Sequence, residues 1–151
     1  MSIAQTATTS FKVQLLQAVH NFGPTSPDTF KIALYTAAAN IGPTTTAYTT
    51  SGEVSSSGTG YTAGGNTLTI SVSPTSGNNS SSVPTAYISF QNSTWATASF
   101  TCRGALIYNS SVAGNPSVAV LDFGSDKTVV SDDFTVIFPT PDANNAIVRI
   151  S

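Results

Sequence analysis

Charge is what this sequence has least of. Only 8% of its 151 residues are Asp, Glu, Lys or Arg, against roughly a quarter in ordinary soluble domains. The five basic residues, Lys12, Lys31, Arg103, Lys127 and Arg149, are spread along a chain of net charge −2. Nucleic-acid binding needs clustered positive charge to displace counterions, and no cluster exists. A membrane-surface role fails for the same reason. No apolar run approaches the roughly 20 residues that span a bilayer. Cys102 is the only cysteine, which excludes an intrachain disulfide and a cysteine-based zinc site. Set in a strand-like run with Phe100, Thr101 and Ala105, it reads as a buried, inert thiol. His20 is the only histidine, so a histidine-rich metal site is excluded as well. A nucleophilic triad would have to use His20, yet no serine elbow or reactive-cysteine signature accompanies it, and it reads as a surface or cap histidine. The opening residues Met1-Ser2-Ile3-Ala4-Gln5-Thr6 lack the charged and apolar regions of a signal peptide, so synthesis and first folding are expected in a cytoplasm. The sequons at Asn78, Asn79, Asn92 and Asn109 carry little meaning in a chain this rich in Ser and Thr.

Ser and Thr supply the surface polarity that charge does not. Such a surface has little electrostatic repulsion to keep copies apart, and it is expected to be covered in part by partners or neighbouring copies. The length suits one domain with a real core, here residues 10–151, preceded by an N-terminal arm over residues 1–9. Residues 10–22 carry a helical pattern. Phe11, Leu15, Ala18, Val19 and Phe22 share one face with Leu16 beside it, while Lys12, Gln14, Gln17 and Asn21 lie off it. Ser10 is placed to cap the start, and Gly23-Pro24 ends the run.

Everything after that helix reads as β. Residues 28–36 alternate Phe30, Ile32 and Leu34 with Lys31, Ala33 and Tyr35, the pattern of a half-buried strand. A long irregular excursion follows over residues 37–65. Loops of that length tend to be functional, and this one is the first candidate for an extended arm that grips a partner. Further strands are predicted over residues 66–73, 85–91, 94–102, 104–109, 117–123, 133–138 and 146–150, with turns at 74–79, 110–115 and 124–127. The fold class is therefore mainly β, an antiparallel β-sandwich or jelly roll of about eight strands with one N-terminal amphipathic helix.

Gly58-x-Gly60-x-x-Ala63 satisfies a common spelling of the dinucleotide-binding fingerprint. That motif works only where a strand enters it and a helix leaves it. Upstream of it lies a hydroxyl-rich run over residues 49–57. Downstream, Gly64-Gly65 opposes a helix and Leu68, Ile70 and Val72 alternate with polar residues. The stretch reads as a glycine-rich corner leading into a strand, with Tyr61 as an aromatic plug beneath it, and no cofactor is expected.

Other candidate chemistry is sparse. Asp122-Phe123-Gly124 spells the magnesium-binding tripeptide of protein kinases, but the chain is too short for that fold and lacks its catalytic loop. Asp122, Asp126, Asp132 and Asp133 are the only dense carboxylates. They do not follow EF-hand spacing, and a calcium site competes with a simpler reading in which Asp126 and Lys127 cap one turn while Asp132 and Asp133 form the next. Glu53 with one of these aspartates could supply a glycosidase pair only if folding opposed them across a cleft. Trp95, Tyr87, Phe90 and Phe100 could line a sugar-binding face, although aromatics at strand spacing more often fill a core. No catalytic, cofactor or metal residue is assigned, and the chain is not expected to be an enzyme.

Four stretches carry a resemblance when taken together: Phe30-Lys31-Ile32-Ala33-Leu34-Tyr35-Thr36; Gly52-Glu53-Val54 followed by Gly58-Thr59-Gly60-Tyr61-Thr62-Ala63-Gly64-Gly65; Arg103-Gly104-Ala105-Leu106-Ile107-Tyr108-Asn109; and Val118-Ala119-Val120-Leu121-Asp122-Phe123-Gly124. In this order they resemble small virion structural proteins of tailed bacteriophages, most of all capsid decoration, or cement, proteins. The resemblance implies a non-enzymatic β-sandwich present in many copies. Its implied partners are the major capsid protein and neighbouring copies of itself, its implied place the outer shell of a virion. A tail, baseplate or fibre-associated virion component is the alternative within the same group, and a carbohydrate-binding module using Trp95 is the alternative outside it. No contact residue is carried over from the resemblance.

Overall fold

The computed structural model describes residues 2–151 as two antiparallel sheets and one short helix. In chain order the elements are β1 (Thr6–Ala7), α1 (Thr9–Leu16), β2 (Phe30–Tyr35), β3 (Asn66–Leu68), β4 (Ile70–Asn78), β5 (Pro84–Phe90), β6 (Ser93–Asn109), β7 (Ser117–Val136) and β8 (Val148–Ile150). A five-stranded sheet of order β1-β7-β6-β2-β3 packs on a three-stranded sheet of order β4-β5-β8, giving a mainly β, sandwich-like fold. Alternation decides what lies between them. Phe30, Ile32 and Leu34 of β2 join Ala105 and Ile107 of β6 and Val118 of β7 in a buried cluster with Ile88, Phe90 and Val148 of the smaller sheet. The rings of Phe30 and Phe90 lie 5.7 Å apart across that core.

The other face of β2 is covered too. Ala33 and Tyr35 pack with Leu106, Tyr108 and Val120 under Ala39 and Ile41, which come from the excursion over residues 37–65. The strand expected to be half-buried is thus buried on both faces, because the excursion folds back as a third layer. It is not an extended arm. The N-terminal residues are bound as well: Ile41 N–H donates to Ser2 O at 3.0 Å, Ala4 N–H to Ile41 O at 3.0 Å, and Thr6 and Ala7 pair with Val120 and Ala119.

Among the described residues there are eight strands, as expected, but two pairs of predicted strands are fused, one predicted strand is divided and β1 is additional. Residues 94–109 run continuously in β6, and residues 117–136 in β7, so the turns expected at 124–127 and around Asp132-Asp133 are not chain reversals. Cys102 pairs with Lys127 and Gly104 with Asp122, which leaves residues 123–126 bulging opposite Arg103 alone. Asp122 Oδ1 accepts the Gly124 N–H at 2.8 Å, and Gly124 has φ 74°. Turn-forming residues serve here as a bulge in a strand that keeps going. A second bulge places Val130 and Ser131 opposite Ser99, with Ser131 at φ 50°.

The predicted strand over 66–73 divides at Thr69, where the chain leaves the larger sheet for the smaller one. β4 then runs past Pro74 to Asn78. It is an edge strand, and the register shifts between Val72 and Thr75, so the missing proline N–H is tolerated.

The helix is shorter than its pattern. Thr8, not Ser10, is its cap, with Oγ1 accepting the Phe11 N–H at 3.4 Å. The helix stops at Leu16, and Ala18 has φ 55°, a conformation that ends a right-handed helix. Of the expected apolar face only Phe11 is buried within the helix, Leu15 is half-buried and Ala18 is exposed beyond it, so no buried stripe runs its predicted length. Phe22 reaches the core from the following loop instead, stacking on Phe30 with centroids 4.4 Å apart.

Candidate functional site

Glu53, the only glutamate of the chain, sits at the centre of a tyrosine cluster. Backbone pairing sets it in place: Val54 N–H donates to Leu34 O and Thr36 N–H to Gly52 O, both at 2.9 Å, which lays residues 52–54 along the end of β2. The carboxylate then accepts three hydrogen bonds of 2.7 Å, from Tyr48 Oη at Oε2 and from Tyr61 Oη and the Gly64 N–H at Oε1. Tyr61 Oη in turn accepts the Leu34 N–H at 3.0 Å. Tyr108 Oη donates to Gly64 O at 2.8 Å, and its ring stacks on Tyr48 with centroids 4.8 Å apart. Burial, followed by the bond to Glu53, pushes the Tyr48 and Tyr61 phenols far above their ordinary range. Burial, with the Glu53 charge behind it, pushes Tyr108 up to about 12. Glu53 is a clasp that fastens the middle of the excursion, at Tyr48, and its last turn, at Tyr61 and Gly64, to the segment paired with β2.

The glycine-rich stretch is the other half of that clasp. Gly60 has φ 72°, and a side chain there would lie 2.9 Å from Thr97 O; Gly65 has φ 74°, and a Cβ there would strike the Ile32 carbonyl. Both glycines are required by close backbone approach. Tyr61 is buried against Trp95 and Phe100, with ring centroids 6.2 and 6.0 Å away, so it is the plug that its flanking glycines imply. Asn66 opens β3, so no helix follows the glycines to receive a pyrophosphate.

Glu53 does not oppose an aspartate. It bridges to Tyr35, Tyr35 pairs with Gly104, and Gly104 pairs with Asp122. Three ladder steps of about 4.8 Å separate the Glu53 and Asp122 backbones, and the Glu53 carboxylate turns instead to Tyr48, Tyr61 and the Gly64 N–H, with no aspartate among its partners. The four clustered aspartates part along β7, Asp122 and Asp126 at the first bulge and Asp132 and Asp133 beyond the second. Asp122 and Asp126 flank Arg103 at 3.9 and 3.4 Å on the surface. Asp133 Oδ1 accepts the Thr97 N–H at 3.1 Å, and Asp132 Oδ1 accepts the Asp133 N–H at 2.8 Å. Among the described residues, no three His, Cys, Asp or Glu side chains gather into a cation site.

His20 departs most from expectation. It lies beyond α1 in the loop to β2 and is 8% exposed, buried beside Phe11 and Phe22 rather than on the surface or at a cap. Cys102 is fully buried, and burial pushes its thiol up to about 12. Trp95, Phe90 and Phe100 belong to the core, with Trp95 only 3% exposed, so they form no sugar-binding platform. Tyr87 is half-buried beside a narrow apolar crevice of about 180 Å³ with Leu15, Phe22, Pro74 and Ile88 among its walls.

The distal half of the β6–β7 pair presents an open face, although Thr59 and Asn66 bond to its β6 edge. β2 pairs with β6 only from Gly104 to Asn109, and β1 pairs with β7 only at Ala119 and Val120. Residues 93–102 and 127–136 therefore extend beyond both as a two-stranded ribbon of about 30 Å, at about 3.3 Å per residue. One face buries Trp95, Ala98, Phe100 and Cys102. The other presents hydroxyls, with Thr94 Oγ1 2.8 Å from Thr135 Oγ1 and Thr101 Oγ1 2.8 Å from Thr128 Oγ1. Val130 and Ile137, each 74% exposed, are apolar points on or beside it. An open groove of about 320 Å³ runs along its β7 side between Phe123, Lys127, Phe134 and Ile137.

Compared with known protein families, with curated proteins and with solved structures, the chain matches none.

Proposed function

We propose that this chain is a non-enzymatic virion structural protein of a tailed bacteriophage, and that it decorates the outer shell of the capsid by bridging major capsid subunits. The observation that carries this reading is the hydroxyl-lined ribbon of β6 and β7, held out beyond the rest of the larger sheet on a scaffold whose one glutamate is wholly engaged in fastening its own loop. A surface of Thr and Ser makes hydrogen bonds to a repeating lattice without desolvating ions. Weak contacts repeated over many copies then add up to firm adhesion. The resemblance to phage virion proteins supports the same reading. Its four stretches fall on β2, on the Glu53 clasp with the glycine corner, and on the mutually paired parts of β6 and β7. They are contiguous in space and make up the scaffold, leaving the hydroxyl-lined face of the ribbon open to a partner.

Imaging and mass analysis of purified particles of the virus that encodes this chain test the proposal. Hundreds of copies with density over capsid junctions are expected. A few to tens of copies on the tail would move the protein to a tail or baseplate role, and absence from the particle would end the virion reading altogether.

A further inference from the structure

The imidazole of His20 is enclosed by three aromatic rings, those of Phe11, Phe22 and Phe30, with centroids 5.0, 6.3 and 6.4 Å away. Its Nε2 lies 3.0 Å from Gln14 Oε1, and its Nδ1 lies 3.2 Å from Asn109 Nδ2. The orientation of the Asn109 amide is set by two other bonds. Its Nδ2 donates to Asp28 Oδ2 at 2.7 Å, and its Oδ1 accepts the Ser111 N–H at 2.9 Å. An N–H donor therefore faces Nδ1, which must accept, and the ring proton belongs on Nε2, where it donates to Gln14. The neutral ring satisfies every partner. An imidazolium would turn a proton toward the Asn109 amide hydrogens, and rotating that amide would sacrifice its bonds to Asp28 and Ser111.

This small network ties a loop to the sheet. Asn21 N–H donates to Asp28 Oδ2 at 2.9 Å, and Asp28 N–H donates to Asn21 O at 2.8 Å, closing residues 21–28 on themselves. Asn109, at the end of β6, joins this closed loop and His20 to the larger sheet, while Thr29 at the far end of the segment is held separately by Ser110 and Ser111. We propose that His20 is an acid-operated latch: neutral, it fastens residues 17–29 against the end of β6, and protonated, it lets that segment and Phe22 loosen from the core.

The groups around the ring set the sign. α1 contributes Gln14 and Phe11, β2 contributes Phe30, β6 contributes Asn109, and the loop contributes Asp28, the charged group that acts on it. Lys12 is exposed on α1, and Lys31 of β2 turns to the opposite face, near Gly64. Burial lowers the His20 pKa below 6.5, and the Asp28 charge opposes that shift without reversing it. A histidine with a lowered folded pKa contributes its full stability above about 6.5, and the contribution decays as pH falls from there toward the folded value.

Because His20 is the only histidine, its imidazole signals in an NMR titration are unambiguous. The expected midpoint lies below 6.5, with the proton on Nε2 in the neutral form. In parallel, hydrogen exchange across residues 17–29, corrected for intrinsic rates, is compared at pH 7.5 and pH 5.5. Protection at Asn21 and Asp28 is expected to fall by roughly three- to tenfold in the natural chain, and to stay level in His20→Gln. In Gln14→Glu, a carboxylate facing Nε2 should raise the titration midpoint and shrink the acid loss. The latch is overturned if His20 titrates at or above 6.5 while the loop keeps its protection, or if His20→Gln loosens with acid as much as the natural chain does.

Discussion

Tyr61 and Glu53 are joined by a hydrogen bond of 2.7 Å, and through it a buried aromatic plug on one side of the excursion is tied to the pairing of residues 52–54 with β2 on the other. Tyr48 completes the link from the outer layer. One carboxylate thus holds together the two clusters that lie on opposite faces of the central strand. Its removal should be felt in both.

Glu53→Ala leaves Tyr48 Oη, Tyr61 Oη and the Gly64 N–H without their acceptor. Hydrogen bonds to charged groups are worth about 1.5 to 3 kcal/mol each and are not additive, so a loss of about 3 to 4 kcal/mol is expected. Glu53→Gln keeps one oxygen but turns an amide donor toward the other partners, and should cost less. Urea unfolding of the two variants measures the order; a Glu53→Ala midpoint equal to that of the natural chain refutes the clasp.

The same cluster dictates an alkaline limit. Tyr48 and Tyr61 have phenols pushed well above their ordinary value of 10, by burial first and by the bond to Glu53 second. An unfolded tyrosine ionises near 10 while these stay protonated in the native state, so stability is complete below that pH and falls as pH rises above it. Thermal midpoints should decline above about pH 10, and phenolate absorbance should lag behind that of the unfolded chain. Tyrosines that all ionise near 10 with the fold intact would contradict this.

Gly58 and Gly65 both have positive φ, 70° and 74°, but only Gly65 faces a neighbouring backbone. Gly58→Ala should cost about 1 kcal/mol, from conformation alone. Gly65→Ala must also displace the Ile32 carbonyl from the β2–β3 junction, and a cost of about 3 kcal/mol or more is expected. Equal unfolding midpoints for the two variants would show that the close approach has no energetic weight.

Cys102 has its thiol fully buried and its pKa pushed up to about 12 by burial. Thiolate is the reactive form, so alkylation at pH 8 should be negligible in the native state and complete on unfolding. Mass spectrometry after a timed exposure to iodoacetamide checks this, and rapid native labelling would mean that the ribbon opens.

Period-two alternation made the larger sheet legible. Phe30, Ile32 and Leu34 announce a strand, and the observed β2 differs from the predicted span only at its ends. The same pattern could not separate a bulge from a turn, because Asp, Gly and Ser favour both. Residues 123–126 bulge because the ladder between β6 and β7 resumes beyond them, a fact that resides in the partner strand. Likewise Ala18, Val19 and Phe22 match helical spacing, yet Phe22 is placed by its stacking on Phe30 rather than by a helix. Glu53 left one signal that was readable in advance: a lone glutamate next to a corner of glycines and tyrosine. His20 left none, since its partners Gln14, Asp28 and Asn109 come from three separate elements of the chain.

From its residues alone the chain is committed to a mainly β sandwich with a short helix, to an inert thiol and to glycines at a tight corner, since alternation, hydropathy and backbone freedom are local properties. Only folding decided that the excursion becomes a third layer, that the aspartates part along β7, and that a histidine is sealed among phenylalanines. Those outcomes depend on which distant groups meet, and a buried polar atom takes its role from the partner opposite it.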